Sequence, residues 1–171
     1  MPKVDLNNIE LLCLDVDGVM TDGSINLDDH GVETKRFCAH DGLGLMIWRK
    51  LGYSVAIITA RKGMAVAHRA RELGIEHVIM GSPDKAAALE EVLSQLKLTA
   101  AEAAMLGDDL PDLPIMSKAG YAMAVADAAS EVRSAAAFVT TRPGGHGAVR
   151  EAVEHLLKAK GRWDEAIGLY G

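Results

Sequence analysis

Leu11-Leu12-Cys13-Leu14-Asp15-Val16-Asp17-Gly18-Val19-Met20-Thr21-Asp22-Gly23 is an apolar run that ends abruptly in acids, glycines and a hydroxyl. A short run of consecutive apolar side chains bounded by turn residues reads as a strand buried on both faces, as in a parallel sheet covered by helices. Working outward from Leu11–Asp15, similar runs recur at 54–59, 77–80, 103–107, 121–124 and 137–139. Helical patterns separate them at 42–51, 63–73, 83–96 and 113–119, and another follows at 148–160. This alternation predicts an α/β fold with a doubly wound, mostly parallel sheet, in which ligands bind beyond the carboxyl ends of the strands. One segment breaks the rhythm. Residues 24–27 and 33–37 read as short strands around Asp28-Asp29-His30-Gly31, so a β-hairpin extension is expected directly after the acidic stretch. At the start of the third long helix, Ser82 is placed to cap, Pro83 to occupy the first helical position and Asp84 to favour the helix dipole.

The chain has 171 residues, enough to bury its own core, and is expected to form one domain over 1–171, without repeats or a linker. Hydrophobic residues make up 49% but aromatics only 4%, so the core must be built from Ala, Val, Leu, Ile and Met. Eighteen basic and twenty-four acidic residues give a net charge of −6 with no basic run, which argues against nucleic acid and anionic membranes as partners. A phosphorylated small molecule would meet the same unfavourable field, so such a substrate requires a cation or well-placed Arg and Lys in the site. Cys13 and Cys38 share no metal-ligand spacing, and Cys13 sits in an apolar run where a buried thiol is ordinary. Residues 1–8 lack the basic-then-apolar pattern of a secretion signal, and no apolar stretch approaches the roughly 18 residues of a membrane span. The expected compartment is the cytoplasm.

Chemistry gathers at the strand ends. Asp15 and Asp17 follow the first strand; Thr59-Ala60-Arg61-Lys62 follow the second; Lys85 opens the helix after the third; Asp108 and Asp109 follow the fourth. Clustered carboxylates repel, and a divalent cation or a shared proton is the simplest way to hold them together. The six histidines have no ligand spacing, which argues against zinc.

In this order, Asp15-x-Asp17-Gly18-x-x-Thr21-Asp22-Gly23, Thr59, Lys85 and Gly107-Asp108-Asp109-Leu-Pro-Asp112 resemble the motifs of the haloacid dehalogenase superfamily, over about the whole chain. With the tail Gly144-Gly145-His146-Gly147-Ala148-Val149-Arg150-Glu151, they look like the cap-less 3-deoxy-D-manno-octulosonate 8-phosphate phosphatases. His146 departs from the Arg more usual in that tail. The resemblance implies a Rossmann-like core without a cap domain and a magnesium-dependent phosphatase working through an aspartyl-phosphate on Asp15, in lipopolysaccharide biosynthesis. Asp17 is implied as acid then base, Thr59 and Lys85 as phosphate-binding catalytic residues, and Asp15, Asp108 and the Asp17 carbonyl as Mg²⁺ ligands supported by Asp109 and Asp112. Arg61 and Lys62 are the local cations expected to meet an acidic sugar, with Gly145 and His146 near a substrate site. It further implies a homotetramer with sites shared between subunits, the hairpins associating and residues 161–171 acting as a mobile lid. The nearest alternatives are a phosphatase for a nonulosonate 9-phosphate and, in another class, a phospho-receiver signalling domain. A receiver carries its phosphoacceptor after the third strand, where this chain has Met80-Gly81-Ser82.

Overall fold

The computed structural model describes residues 5–171; the first four residues of the 1–8 segment read above lie outside the described residues. The strands are β1 Leu11–Leu14, β2 Asn26–Leu27, β3 Glu33–Thr34, β4 Ser54–Thr59, β5 His77–Met80, β6 Ala103–Gly107, β7 Tyr121–Ala124 and β8 Phe138–Val139. The helices are α1 Ala39–Lys50, α2 Met64–Glu72, α3 Lys85–Leu96, α4 Leu113–Lys118, α5 Ser130–Ala135, α6 Ala148–Ala159 and α7 Trp163–Gly168.

Six strands form a wholly parallel sheet in the order β5-β4-β1-β6-β7-β8. The chain winds from β1 outward to β4 and β5, then returns on α3 to lay β6 against the other edge of β1. That reversal puts the switch point, where open α/β sheets bind ligands, at the carboxyl end of β1. The four side chains of β1 are all fully buried, as its unbroken apolar run requires. Burial pushes the Cys13 thiol up to about 12, which makes it a packing residue rather than a nucleophile. Helix α1 packs on α6, and Arg69 and Leu73 from α2 and its end close on Gly42 of α1, while α3 packs against α4. Trp48 is fully buried, stacks on Tyr53 with ring centroids 4.2 Å apart, and donates its indole N–H to the Ser54 carbonyl at 2.9 Å.

The separate antiparallel pair β2–β3 is the expected hairpin, with Asn26 opposite Thr34 and Leu27 opposite Glu33. Asp28 closes its turn by accepting from the amides of His30 and Val32 at 2.9 and 2.8 Å. The ladder is shorter than the sequence reading, and beyond it the side chains of Arg36 and Lys35 pair with Asp22 at 2.8 Å and with Asp17.

Two further expectations change, and one helix went unread. Helix α3 begins at Lys85, not Pro83: Asp84 is its cap, accepting from the amides of Ala86 and Ala87 at 3.0 Å, while the Ser82 hydroxyl bonds the Asp84 carbonyl. Helix α5 lies in an alanine-rich stretch whose six residues are too few to show a period. The tail read as a mobile lid instead forms α7, docked by Arg162, which donates to the Leu51 carbonyl at 3.1 Å and the Tyr53 hydroxyl at 2.9 Å. Lys160 bonds the Asn7 carbonyl at 2.7 Å. These contacts fix the tail beside the amino ends of β1 and β4, away from Asp15 at the opposite end of β1. Among the described residues no helix is long and apolar enough to cross a membrane.

Candidate active site

Beyond the carboxyl end of β1 the backbone turns sharply, and one buried hydroxyl organises the turn. Thr21 Oγ1 accepts from the amides of Gly18 at 3.3 Å and Gly23 at 3.2 Å. Gly18 has φ +88°, and a Cβ placed on it would stand 2.0 Å from Asp108 Oδ2. Any side chain there would both strain the turn and drive the Asp108 carboxylate away. From behind, Gly144 packs so closely that a Cβ on it would lie 1.8 Å from the Gly18 carbonyl oxygen. The Gly145 amide donates to the Val19 carbonyl at 3.0 Å, and the Gly144 amide to Asp127 at 2.9 Å.

A cleft of about 310 Å³ opens at these strand ends, lined by Asp15, Asp17, Gly23, Thr59, Ala60, Arg61, Lys85, Asp108, Asp109, Pro111 and Asp112. Residues from β1, β4, β6 and the start of α3 thus meet in one place. A hollow of comparable size near the ends of α1 and α2, lined by Arg49, Lys50, Arg71 and Glu72 among others, has no such convergence of acids.

At the base of the cleft the Lys85 ammonium, 6% exposed, stands 3.0 Å from Asp15 Oδ1 and donates to Asp112 Oδ1 at 2.7 Å. The approach to Asp15 is a charge contact without hydrogen-bond alignment, and Asp15 Oδ1 remains a buried oxygen with no bonded donor. Asp112 Oδ2 accepts from the Asp108 amide at 2.9 Å, holding the second acidic loop. Asp109 caps the turn Leu110–Asp112 by accepting from the Leu110 amide at 2.8 Å. Thr59, 2% exposed, accepts from the Arg61 amide at 3.2 Å, which aims the residues after β4 across the cleft.

The electrostatics are those of an unneutralised acid cluster. Burial, with Asp112 close by, pushes the Asp15 carboxyl up to about 6 against the opposing pull of Lys85. Burial and the charges of Asp15 and Asp112 push Asp108 up to about 8. Asp15, Asp108 and Asp112 bring carboxylate oxygens within 4.8 Å of one another. An all-oxygen donor set around an unbonded, buried carboxylate oxygen fits a hard divalent cation, which would remove the repulsion that raises these carboxyls.

Two charged residues went unread in the sequence. Lys35, its side chain 1% exposed, pairs with Asp17 and lies 3.3 Å from Glu33, and Glu33 accepts from Arg61 at 2.6 Å. They stand two apart, the spacing that puts residues on one face of a strand, in the hairpin that follows the acidic stretch. Conversely, three expected substrate contacts line no part of this cleft. Lys62 folds over the turn at Gly81, where a Cβ would lie 2.3 Å from its Cε. Gly145 buttresses the Asp15 loop from behind, and the exposed His146 turns its ring to the Gly144 carbonyl at 2.9 Å.

Residues 77–151 match the haloacid dehalogenase-like hydrolase family. The 3-deoxy-D-manno-octulosonate 8-phosphate phosphatase of Escherichia coli K12 is 44% identical over 161 residues, covering 94% of this chain and 86% of that protein. The Yersinia pestis enzyme of the same name is 42% identical, covering 95% and 87%. The Moraxella catarrhalis 3-deoxy-D-manno-octulosonate 8-phosphate phosphatase, crystallised with magnesium ion, phosphate ion and KDO, superposes with a TM-score of 0.94 at 40% identity over 98% of this chain and 96% of that one. The cobalt-bound Haemophilus influenzae phosphatase gives 0.92 at 35% identity over 98% and 99%. With a buried Asp15 at the switch point and similarity along nearly its whole length, the chain belongs to the 3-deoxy-D-manno-octulosonate 8-phosphate phosphatase family of haloacid dehalogenase-like hydrolases.

Proposed function

We propose that this protein is a Mg²⁺-dependent phosphatase of 3-deoxy-D-manno-octulosonate 8-phosphate, acting through an aspartyl-phosphate on Asp15. One observation carries the reading: the Lys85 ammonium stands between Asp15 and Asp112 at the base of a cleft where three carboxylates converge. The metal would be held by the side chains of Asp15 and Asp108 and the Asp17 carbonyl. When bound, Mg²⁺ neutralises charge that would otherwise keep a phosphate dianion from an anionic nucleophile.

The chain's own groups do the rest. An Asp15 oxygen attacks phosphorus, splitting the hydrolysis into two displacements. Lys85 offsets the charge of Asp15 and of the phosphate, and the Thr59 hydroxyl bonds a phosphate oxygen. Asp17 protonates the leaving sugar oxygen, and the carboxylate this creates then takes a proton from the water that attacks the Asp15 phosphoryl group. Asp112 and Asp109 hold the Asp108 loop. Arg61, at the mouth, meets the carboxylate of the sugar acid. The enzyme works in the cytoplasm, where Cys13 and Cys38 stay unpaired. It works as a homotetramer whose apolar hairpins associate; Ile25, Leu27 and Val32 are 46%, 61% and 56% exposed in the single chain.

The test is phosphate release from a panel holding this sugar phosphate, a nonulosonate 9-phosphate and glucose 6-phosphate, with Mg²⁺ and with chelator. Highest kcat/KM for the eight-carbon acid, loss of activity in chelator and an inactive Asp15→Asn variant are expected. Equal rates on all three, or turnover by Asp15→Asn, would refute the reading.

A further inference from the structure

The most deeply buried charge contributed by the hairpin is the Lys35 ammonium, set between Asp17 and Glu33. Burying an ammonium is unfavourable unless anions surround it, and a lysine placed only to fasten a two-stranded hairpin could equally lie on its surface. Its placement also divides the Asp17 carboxylate into two unlike oxygens. Oδ1 is taken by Lys35, whereas Oδ2 is buried without a hydrogen bond, 3.5 Å from Arg61 Nε, and both Asp17 and Arg61 line the cleft. Glu33 braces the arrangement by accepting from both Lys35 and Arg61.

We infer that Lys35 is a positioning residue for the reaction: its bond to Asp17 Oδ1 fixes the carboxyl so that Oδ2 faces the oxygen that leaves and the water that follows. The inference rests on the phosphatase reading above and adds a task for the hairpin. Proton transfer then runs through Oδ2 alone. The proton on Oδ2 passes to the sugar oxygen as the bond from phosphorus to that oxygen breaks, and in the second step Oδ2 accepts one from water as the bond from Asp15 to phosphorus breaks. Lys35 itself neither gains nor loses a proton in either step.

The test combines Lys35→Met, Lys35→Arg and Asp17→Asn with two substrates, the sugar phosphate and 4-nitrophenyl phosphate, whose leaving group departs without protonation. A positioned acid and base contributes roughly 10²- to 10⁴-fold, so Lys35→Met is expected to lose roughly 10- to 100-fold in kcat on the sugar phosphate with KM within about threefold of wild type. Lys35→Arg should recover a substantial part of kcat. With 4-nitrophenyl phosphate, Lys35→Met should keep the fast first burst of nitrophenolate and lose rate only in the turnover that follows. Adding Lys35→Met to Asp17→Asn should cost little more, since both act through one carboxyl. Unchanged kcat in Lys35→Met, a rise confined to KM, or loss of the burst together with turnover would overturn this inference while leaving the phosphatase reading intact. An active Asp15→Asn variant would sink both together.

Discussion

Asp15→Asn is expected to abolish activity and, in the absence of metal, to make the protein more stable. The wild-type carboxyl has a folded-state pKa of about 6 against an ordinary 3.8. A carboxyl raised in this way leaves the fold unburdened below the ordinary value and removes stability as pH climbs from that value to the folded one, beyond which the cost is constant. With about 1.4 kcal/mol per pKa unit, the raised pKa costs about 3 kcal/mol at pH 7.5 and about half that at pH 5. Asparagine has the shape of the protonated acid and carries no charge, so the variant should gain those amounts. For a chain of this size about 3 kcal/mol corresponds to roughly 6–12 °C in Tm. The gain should be larger still because Asp15 is one of the charges that raise Asp108. Groups that titrate elsewhere, such as His155, whose burial lowers its pKa, are common to both proteins and cancel in the difference. The assay is urea and thermal unfolding of both proteins in chelator at pH 5 and 7.5, repeated with Mg²⁺, which should stabilise the wild type far more than the variant. A variant no more stable than wild type at pH 7.5 without metal, or a gain equal at the two pH values, would refute the electrostatic account of the cluster.

Replacing Arg61 with Ala should raise KM for an acidic sugar phosphate several-fold more than for glucose 6-phosphate; equal effects, measured by initial rates, would remove Arg61 from recognition of the sugar carboxylate. Asp41, 3% exposed, accepts from the Arg150 amide at 2.8 Å and the Gly147 amide at 3.3 Å and so caps α6 from α1. Asp41→Ala should cost about 1–2 kcal/mol in urea unfolding, as loss of a helix cap does, with KM unchanged. Light scattering should give four chains per particle, and replacing Ile25 and Leu27 together with Lys should dissociate them; an active wild-type monomer would contradict the tetramer.

The parallel sheet was legible because its strands are short runs without an internal period and its longer helices have one. The strands from 54, 77, 103 and 121 begin and end where the sequence placed them. Convergence of Asp15, Thr59, Lys85 and Asp108 was legible for a geometric reason: parallel strands all deliver their carboxyl ends to one edge. The missed pieces depend on contacts distant in the chain. Nothing local tells Lys35 to turn toward Asp17 rather than solvent, and nothing in Gly145-His146 reveals that the segment lies behind the Asp15 loop and not in front of it. Asp84 displaced Ser82 as the cap of α3 by a margin of two residues, within which a serine and an aspartate are equally good caps. Helix α7 was hidden because its docking depends on Arg162 finding Tyr53, more than a hundred residues away.

The close seat of Gly144 and Gly145 against the Gly18–Asp22 turn has a consequence for biosynthesis. The backbone that supports the nucleophile's loop is translated some 130 residues after the nucleophile itself, as the difference between 144 and 15 shows. At a synthesis rate of about 5–20 residues per second, the acids of the first loop exist for roughly 6–26 s before their support is translated. Throughout that interval the nascent chain has Asp15 and Asp17 but lacks the backing that sets Gly18 against Asp108. Catalytic competence therefore arrives late and at one stroke, and a chain cut short before residue 144 is expected to be inactive even with every motif acid present.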